Sequence, residues 1–351
     1  MDLDNNLIIK NIWYLVCQSS FVTEGKIRHK YIANERIAFW RDKNGQVVAL
    51  KDNCPHRGIP LSAGKVLKRG NIQCCYHGWE FDSNGVCQNI PALIDTVPVK
   101  INSIKVKKYK VAELNGTIWV FISQYPQSHE EVKEPIPDLQ LLQNEEFTHV
   151  DTIVLPINID HSVIGLIDPA HVTFVHQSWF WRSTKALKLK TKRFEPTPRG
   201  FKMVKHAPSD NTKGYRLLKG NVATEIFFTL PGNRLEHISI GEKNKIISLT
   251  TLTPIDDNHT ELNQFFFSSL ALTKLLWYPL KRFGKYFIGQ DVGVFNKLAV
   301  GLESNPQLML VGEADAQARW YFDLKKHWKI ANDQNVEFKN PLKGGELRWI
   351  T

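Results

Sequence analysis

Residues 54–79 read CPHRGIPLSAGKVLKRGNIQCCYHGW, and this stretch decides how the chain is to be read. It sets Cys54 and His56 in one short loop and Cys74 and His77 in another, with seventeen residues between His56 and Cys74. Structural zinc sites favour C-x2-4-C combined with H-x3-5-H, and C-x-H followed by C-x2-H does not match that spacing. One thiol and one imidazole from each of two loops suits a split 2Fe-2S cluster, in which the cysteines hold one iron and the histidines the other. Neutral imidazole in place of thiolate raises the reduction potential, so the mixture of ligands has a chemical purpose.

Around this stretch, from Ile8 to about Ser123, the sequence is a series of strand-like runs separated by turn signals: RIAFWRD, KNG, QVVALKD, then FDSNG and GTIWVFIS. That pattern predicts a compact all-β domain over 1–125. The segment QYPQSHEEVKEPIPDLQ at 124–140 holds three prolines and several acids with little apolar periodicity, and predicts a linker over 126–140. Residues 141–351 mix strand-like alternation (EIFFTL, HISIG, ELNQFFFSSL) with two helical segments, Asn158 to Val175 and Leu270 to Val300. They predict an α+β domain.

The 351-residue length accommodates two such domains. Hydrophobic residues at 42% and charged residues at 23% exclude a disordered chain. Five cysteines, an odd number, argue against a disulfide scaffold and for a reducing compartment. Cys17, Cys75 and Cys87 read as small buried hydrophobes. The N-terminal MDLDNNLIIKNIWYLV has neither a basic n-region nor a cleavage site, and no run approaches the roughly 18 apolar residues of a spanning helix. No secretory leader and no membrane span are therefore expected, and the protein is expected in the cytoplasm. The formal charge of +10 points to an acidic partner. Lys51, Arg57, Lys65, Lys68 and Arg69 lie near the ligand loops. A denser run from Arg182 to Lys205 contains KLKTK, whose alternation reads as one solvated strand face. No motif supports nucleic-acid binding.

CPHRG and YHGW resemble Rieske proteins nearly letter for letter. The respiratory members carry an extra cysteine in each loop; GIPLSAGK has none, so the loops are similar to those of soluble Rieske oxygenases and ferredoxins. A ferredoxin needs only about the first 120 residues. Residues 158–176, NIDHSVIGLIDPAHVTFVH, resemble the D-x2-H-x4-H segment of Rieske non-haem iron oxygenases, where the two histidines bind a mononuclear iron. The resemblance implies His171 and His176 as ligands of Fe(II). With one carboxylate, such a set leaves positions open for O2. On an unbroken helix five residues turn about 500°, leaving the two histidines about 140° apart, so the helix is expected to loosen or restart at Pro169. The resemblance places the carboxylate on a C-terminal helix in an E/Q-D-x3-hydrophobic context. Asp291 in FIGQDVGVFNKL fits, Asp315 is the alternative, and Asp323 is a further acid nearby.

Asp168 resembles the family's bridging aspartate, which would join His171 to His77 of the partner subunit; its rival role is a helix cap. The bridge implies a homotrimer. Many relatives carry Asn three residues before that aspartate, where this chain has Gly165, and Asn158, Asp160 or His161 are the candidates to substitute. No dinucleotide-binding fingerprint follows any strand, so NAD(P)H is expected to act only indirectly, through an acidic ferredoxin or reductase. Over nearly the whole chain the resemblance is to the group that includes pheophorbide a oxygenase and vanillate O-demethylase. It implies an N-terminal all-β Rieske domain, an α+β helix-grip catalytic domain with an antiparallel sheet, and O2-dependent hydroxylation or demethylation of an aromatic or polycyclic small molecule. The alternatives are an electron carrier or a non-catalytic descendant. Trp179, Phe180 and Trp181 could line an apolar pocket or belong to the core.

Overall fold

The computed structural model describes residues 8–94, 99–124, 135–137, 149–176, 187–208, 221–270 and 277–351. The chain divides into two compact units, Lys10–Asp138, and Leu139–Thr351 together with Met1–Ile9. The linker expected over 126–140 lies, apart from residues 135–137, outside the described residues, as do Trp179 to Trp181.

The N-terminal unit is built from three small antiparallel sheets. One joins Ile12–Gln18, Thr117–Ile122 and Val111–Leu114; a second runs Arg28–Ile32, Glu35–Arg41, Val47–Lys51 and Lys108–Tyr109. The third, of very short strands, is Lys65–Val66, Ile72–Gln73, Glu80–Phe81 and Cys87–Asn89, and the ligand loops flank it. Their anchor is a core of Trp40, Leu50, Leu61, Ile72 and Phe81, all fully buried, which also takes in Cys54 and Cys74. Cys17 and Cys87 are buried as expected, but Cys75 is exposed. The correction follows from chain geometry: Cys74 turns into the core, so the residue after it in a tight loop turns out.

The C-terminal unit is an eight-stranded antiparallel sheet in the order His149–Leu155, Thr260–Ser268, Asn244–Pro254, Asn233–Ile240, Val222–Thr229, Gly200–His206, Leu189–Thr197, Gly345–Ile350. Among the described residues four helices accompany it: α1 (Ile159–Ile167), α2 (Val172–Val175), α3 (Trp277–Leu302) and α4 (Ala316–Asp333). α1, α3 and α4 all lie on one face of the sheet. Phe194, Phe201 and Phe228 meet Trp320 and Tyr321 of α4 with ring centroids 5.2 to 6.2 Å apart among the group. Lys285 of α3 reaches Asp151 at 3.9 Å. Directly paired residues share a face, so Phe228, Arg234, Thr250, Gln264 and Asp151 form one row across five strands on the helix side. α1 is locked to α4 by Asp160, fully buried, which accepts hydrogen bonds from Tyr321 Oη (2.6 Å) and Lys325 Nζ (2.7 Å).

The strand face KLKTK is not solvated. Lys190 is only 8% exposed, while Leu189 is 66% exposed. The period-two alternation is real, but Lys190 and Lys192 fall on the same side as Phe194, whose packing against Trp320 fixes that side as the one the helices cover. Helix α4 was not expected from the sequence, although Ala318, Tyr321, Leu324, Trp328 and Ala331 are buried at helical spacing. No helix among the described residues is long and apolar enough to cross a membrane.

Candidate metal centres

The two ligand loops of the N-terminal unit share one backbone design. Cys54 N–H donates to Ile59 O and Gly58 N–H to Cys54 O at 2.9 and 2.8 Å; Cys74 N–H donates to Trp79 O and Gly78 N–H to Cys74 O at 2.8 and 3.1 Å. Gly58 and Gly78 take φ of +75° and +71°, the left-handed turn that each loop needs. The thiols of Cys54 and Cys74 are buried and the rings of His56 and His77 stand toward solvent, 4.4 Å apart between centroids. His56 stacks on Trp79 at 4.6 Å and 5°, and Tyr76 lies 3.9 Å from His77. Burial pushes the Cys54 thiol up to about 11, with the neighbouring Cys74 adding to the rise. A buried thiol that resists ionising would be compensated, as a thiolate, by a bound iron. Two sulfurs inside and two imidazoles outside fit a 2Fe-2S cluster with its histidine edge accessible. Lys51, Arg57, Lys65 and Lys68, near the two loops in sequence, are exposed, whereas Arg69 is engaged with buried Glu80.

In the C-terminal unit the structure brings together His171, His176 and Asp291, whose ligating atoms lie within 4.8 Å of one another. Asp291 Oδ1 is 3.7 Å from His171 Nε2 and 3.2 Å from His176 Nε2. Ligand atoms about 2.1 Å from a metal and at right angles lie about 3 Å apart, so these spacings fit one ion held on one face. The spacing objection to H-x4-H is resolved by a broken helix. α1 ends at Ile167, Asp168 and Pro169 turn the chain, and the two histidines flank the single turn of α2. Thr173 in that turn is fixed by a buried 2.8 Å hydrogen bond to Thr351 Oγ1. Asp315 is not part of the group. Its carboxylate accepts from Val311 N–H at 2.6 Å where α4 begins, and Asp323 is exposed on α4.

Asp168 Oδ1 accepts from Ala170 N–H at 2.7 Å, which shapes the turn, and Oδ2 stands 3.7 Å from His171 Nδ1, beyond a hydrogen bond. His171 Nδ1 is buried and has no hydrogen-bond partner. Burial would raise the Asp168 carboxyl, but His171 and the Ala170 N–H more than offset it and hold it below the usual range.

Residues not singled out by sequence complete the setting of His176. Its Nδ1 pairs with Gln290 Oε1 at 3.0 Å, its ring stacks on Phe287 at 3.7 Å and 16°, and its Nε2 faces Asp291. Phe287, Gln290 and Asp291 are i, i+3 and i+4 on α3, so one helical face grips the imidazole on three sides. A proton on Nδ1, donated to Gln290, leaves the Nε2 lone pair for a metal. The E/Q-D-x3-hydrophobic context thereby acquires a meaning for this chain: Gln290 holds the histidine, Asp291 faces it, and Phe295 fills the space beside Gly165. A Cβ on Gly165 would lie 2.5 Å from Phe295 Cε1. The ring occupies the space that a side chain at position 165 would need. Asn158 caps α1 by accepting from His161 N–H at 3.0 Å and is 3.0 Å from His161 Nδ1, while Asp160 is committed to Tyr321 and Lys325.

Residues 12–110 match the Rieske 2Fe-2S domain family. The chain is similar to chlorophyllide a oxygenase of Oryza sativa subsp. japonica, 30% identical over 50% of this chain and 30% of that protein. It is 26% identical to pheophorbide a oxygenase of the same plant over 68% of this chain and 44% of the relative. It is 33% identical to the 3-chlorobenzoate-3,4-dioxygenase oxygenase subunit of Comamonas testosteroni over 41% and 32%. The matches thus span less than half the length of these relatives. The fold is shared with dicamba monooxygenase bound to dicamba, at TM-score 0.74 and 21% identity over 91% of this chain and 98% of the other. It is also shared with Pseudomonas putida CBB5 NdmA, at TM-score 0.67 and 17% identity over 92% of both chains.

Proposed function

We propose, on the premise that the chain belongs by its N-terminal domain and its fold to the Rieske oxygenase group, that it is a terminal oxygenase acting on an aromatic or polycyclic small molecule. Hydroxylation and demethylation are both within that chemistry. The observation that carries the reading is the convergence of His171, His176 and Asp291, three ligands from two segments far apart in sequence. An electron carrier has no use for it. Fe(II) bound there would supply O2 activation, driven by electrons from the cluster held by Cys54, His56, Cys74 and His77.

In this proposal the chain's own residues position and gate. Gln290 and Phe287 orient His176, Asp168 shapes the turn before His171, and the partial exposure of His171 and Asp291 keeps one side of the site open. Electrons arrive from a separate acidic ferredoxin or reductase, attracted by Lys51, Arg57, Lys65 and Lys68, with NAD(P)H upstream of that donor. Asp168 would link His171 to His77 of the partner subunit in a homotrimer. All five cysteines are free, in keeping with a reducing, cytoplasmic setting. The test is iron per chain together with O2 uptake. The expected result is about three irons, two of them in the Rieske cluster, and O2 consumption that rises on adding substrate with an artificial reductant. His171→Ala with His176→Ala should leave about two irons. An unchanged iron content in that double variant overturns the reading.

A further inference from the structure

The strand Leu189–Thr197 turns its lysines toward the helices, and what surrounds them is chemically specific. Lys192 is half-buried, and its ammonium has a carbonyl oxygen, that of Ala207, at 3.5 Å. That contact places it beside His206, which is paired across to Thr224 on the next strand. Thr224 is only 4% exposed, and among the described residues its hydroxyl has no hydrogen-bond partner. A buried hydroxyl in that state has a donor to offer a ligand or a water. His206 Nδ1 is 2.9 Å from Val204 O and is held by that carbonyl, so Nε2 is the ring nitrogen left for a ligand.

Charge sharpens the reading. Glu236, on the same face one strand beyond, takes Arg234 at 3.1 Å and also acts on His206, whose basicity burial lowers and Glu236 partly restores. Glu195 and Glu225 lie on the opposite face, 3.5 and 3.6 Å from Lys202. Among the described residues Lys192 has no ion-pair partner, and burial lowers its basicity. Close by, Lys188 exchanges two 3.1 Å backbone hydrogen bonds with Thr351, whose side chain meets Thr173 between the two metal-facing histidines. The row of Lys192, His206 and Thr224 therefore belongs to the same side of the unit as the metal site.

We infer that Lys192, His206 and Thr224 form a subsite for a carboxylate of the substrate, which fixes the acidic end of the molecule while its body extends toward His171 and His176. The inference rests on the oxygenase reading for what happens to that body, and not for the binding of the acid. A carboxylate takes the charge of Lys192 and the donor of Thr224, and favours a proton on His206 Nε2.

The experiment compares matched acids and amides, benzoate with benzamide and 1-naphthoate with 1-naphthamide, by calorimetric titration of the iron-loaded protein. The acid of at least one pair should bind about ten-fold tighter than its amide, a discrimination of the kind an unpaired buried polar group enforces. Lys192→Met and, independently, Thr224→Val should bring the ratio close to one with amide affinity unchanged, and Lys192→Arg should keep the preference. Equal binding of acid and amide in the parent, no binding of either acid, or a preference that survives both Lys192→Met and Thr224→Val overturns the subsite. Iron content, measured on the same samples, separates the two ideas. Three irons without acid preference sink the subsite alone, and two irons with an intact preference sink the oxygenase reading alone.

Discussion

Replacing Gly165 by alanine should destabilise the C-terminal unit, although glycine to alanine inside a helix ordinarily stabilises by about 1 kcal/mol. Gly165 lies within α1, and its added methyl would stand 2.5 and 2.6 Å from Phe295 Cε1 and Cζ. Non-bonded carbons prefer about 3.5 to 4.0 Å, so the overlap is about 1 Å. Phe295 is 9% exposed and its ring has little room to yield. Overpacking of this kind costs about 1 to 3 kcal/mol, and with an overlap this large the upper part of that range applies, leaving a net loss of up to about 2 kcal/mol after the helix-propensity gain. For a unit of this size the calorimetric transition should fall by up to about 4 to 8 °C. Phe295 is one turn beyond Asp291 on α3, so relief by moving the helix would also shift the carboxylate from its 3.2 Å station at His176 and lower iron content. Phe295→Leu should relieve the clash, making the double variant more stable than the sum of the single effects. A Gly165→Ala protein that melts at or above the parent with full iron, or strict additivity in the cycle, would refute the steric reasoning.

Other consequences are as direct. Gln290→Leu should weaken ferrous binding about 10- to 100-fold and alter the electron paramagnetic resonance spectrum of the nitric oxide adduct, with Gln290→Glu restoring both; a Leu variant with parental affinity and spectrum would show that Gln290 does not orient His176. Asp291→Asn should lower iron from about three to about two per chain, whereas Asp315→Asn should leave it unchanged; the reverse pattern would move the carboxylate ligand to α4. Burial would raise the Glu35 carboxyl, but Lys107 at 2.7 Å and the Tyr109 hydroxyl more than offset it and hold it below the ordinary 4.5. Its stabilisation is therefore complete above pH 4.5 and disappears as pH falls through the lowered folded-state value. Glu35→Gln should flatten the acid limb of the N-terminal unit's urea midpoint, and an unchanged limb would show that the pair contributes nothing.

Helix α2 and the strand after it mark how far the sequence could be read. The candidate cluster ligands Cys54, His56, Cys74 and His77 are legible because they sit in two local loops whose spacing is itself the geometry. The pair His171 and His176 was legible as a motif, but its convergence depended on the chain leaving the helix at Asp168 and restarting at Val172, which periodicity alone does not reveal. Gln290 is adjacent to a candidate ligand, and its role needs the contact with His176 from a segment 114 positions away. Alternation in KLKTK told which lysines share a face and could not tell which face is covered.

A two-part organisation, four residues suited to a 2Fe-2S cluster, the histidine pair and Asp291 as the fitting acid can all be read along the chain, because each is written in local spacing and residue chemistry. Packing alone shows that Phe295 fills the space at Gly165, that Gln290 pairs with His176, and that Lys192 lies on the helix-covered face of its strand. The physical reason is the same in all three cases. A side chain's partner and its dielectric surroundings are set by which segments pack against it, and those segments are remote along the chain.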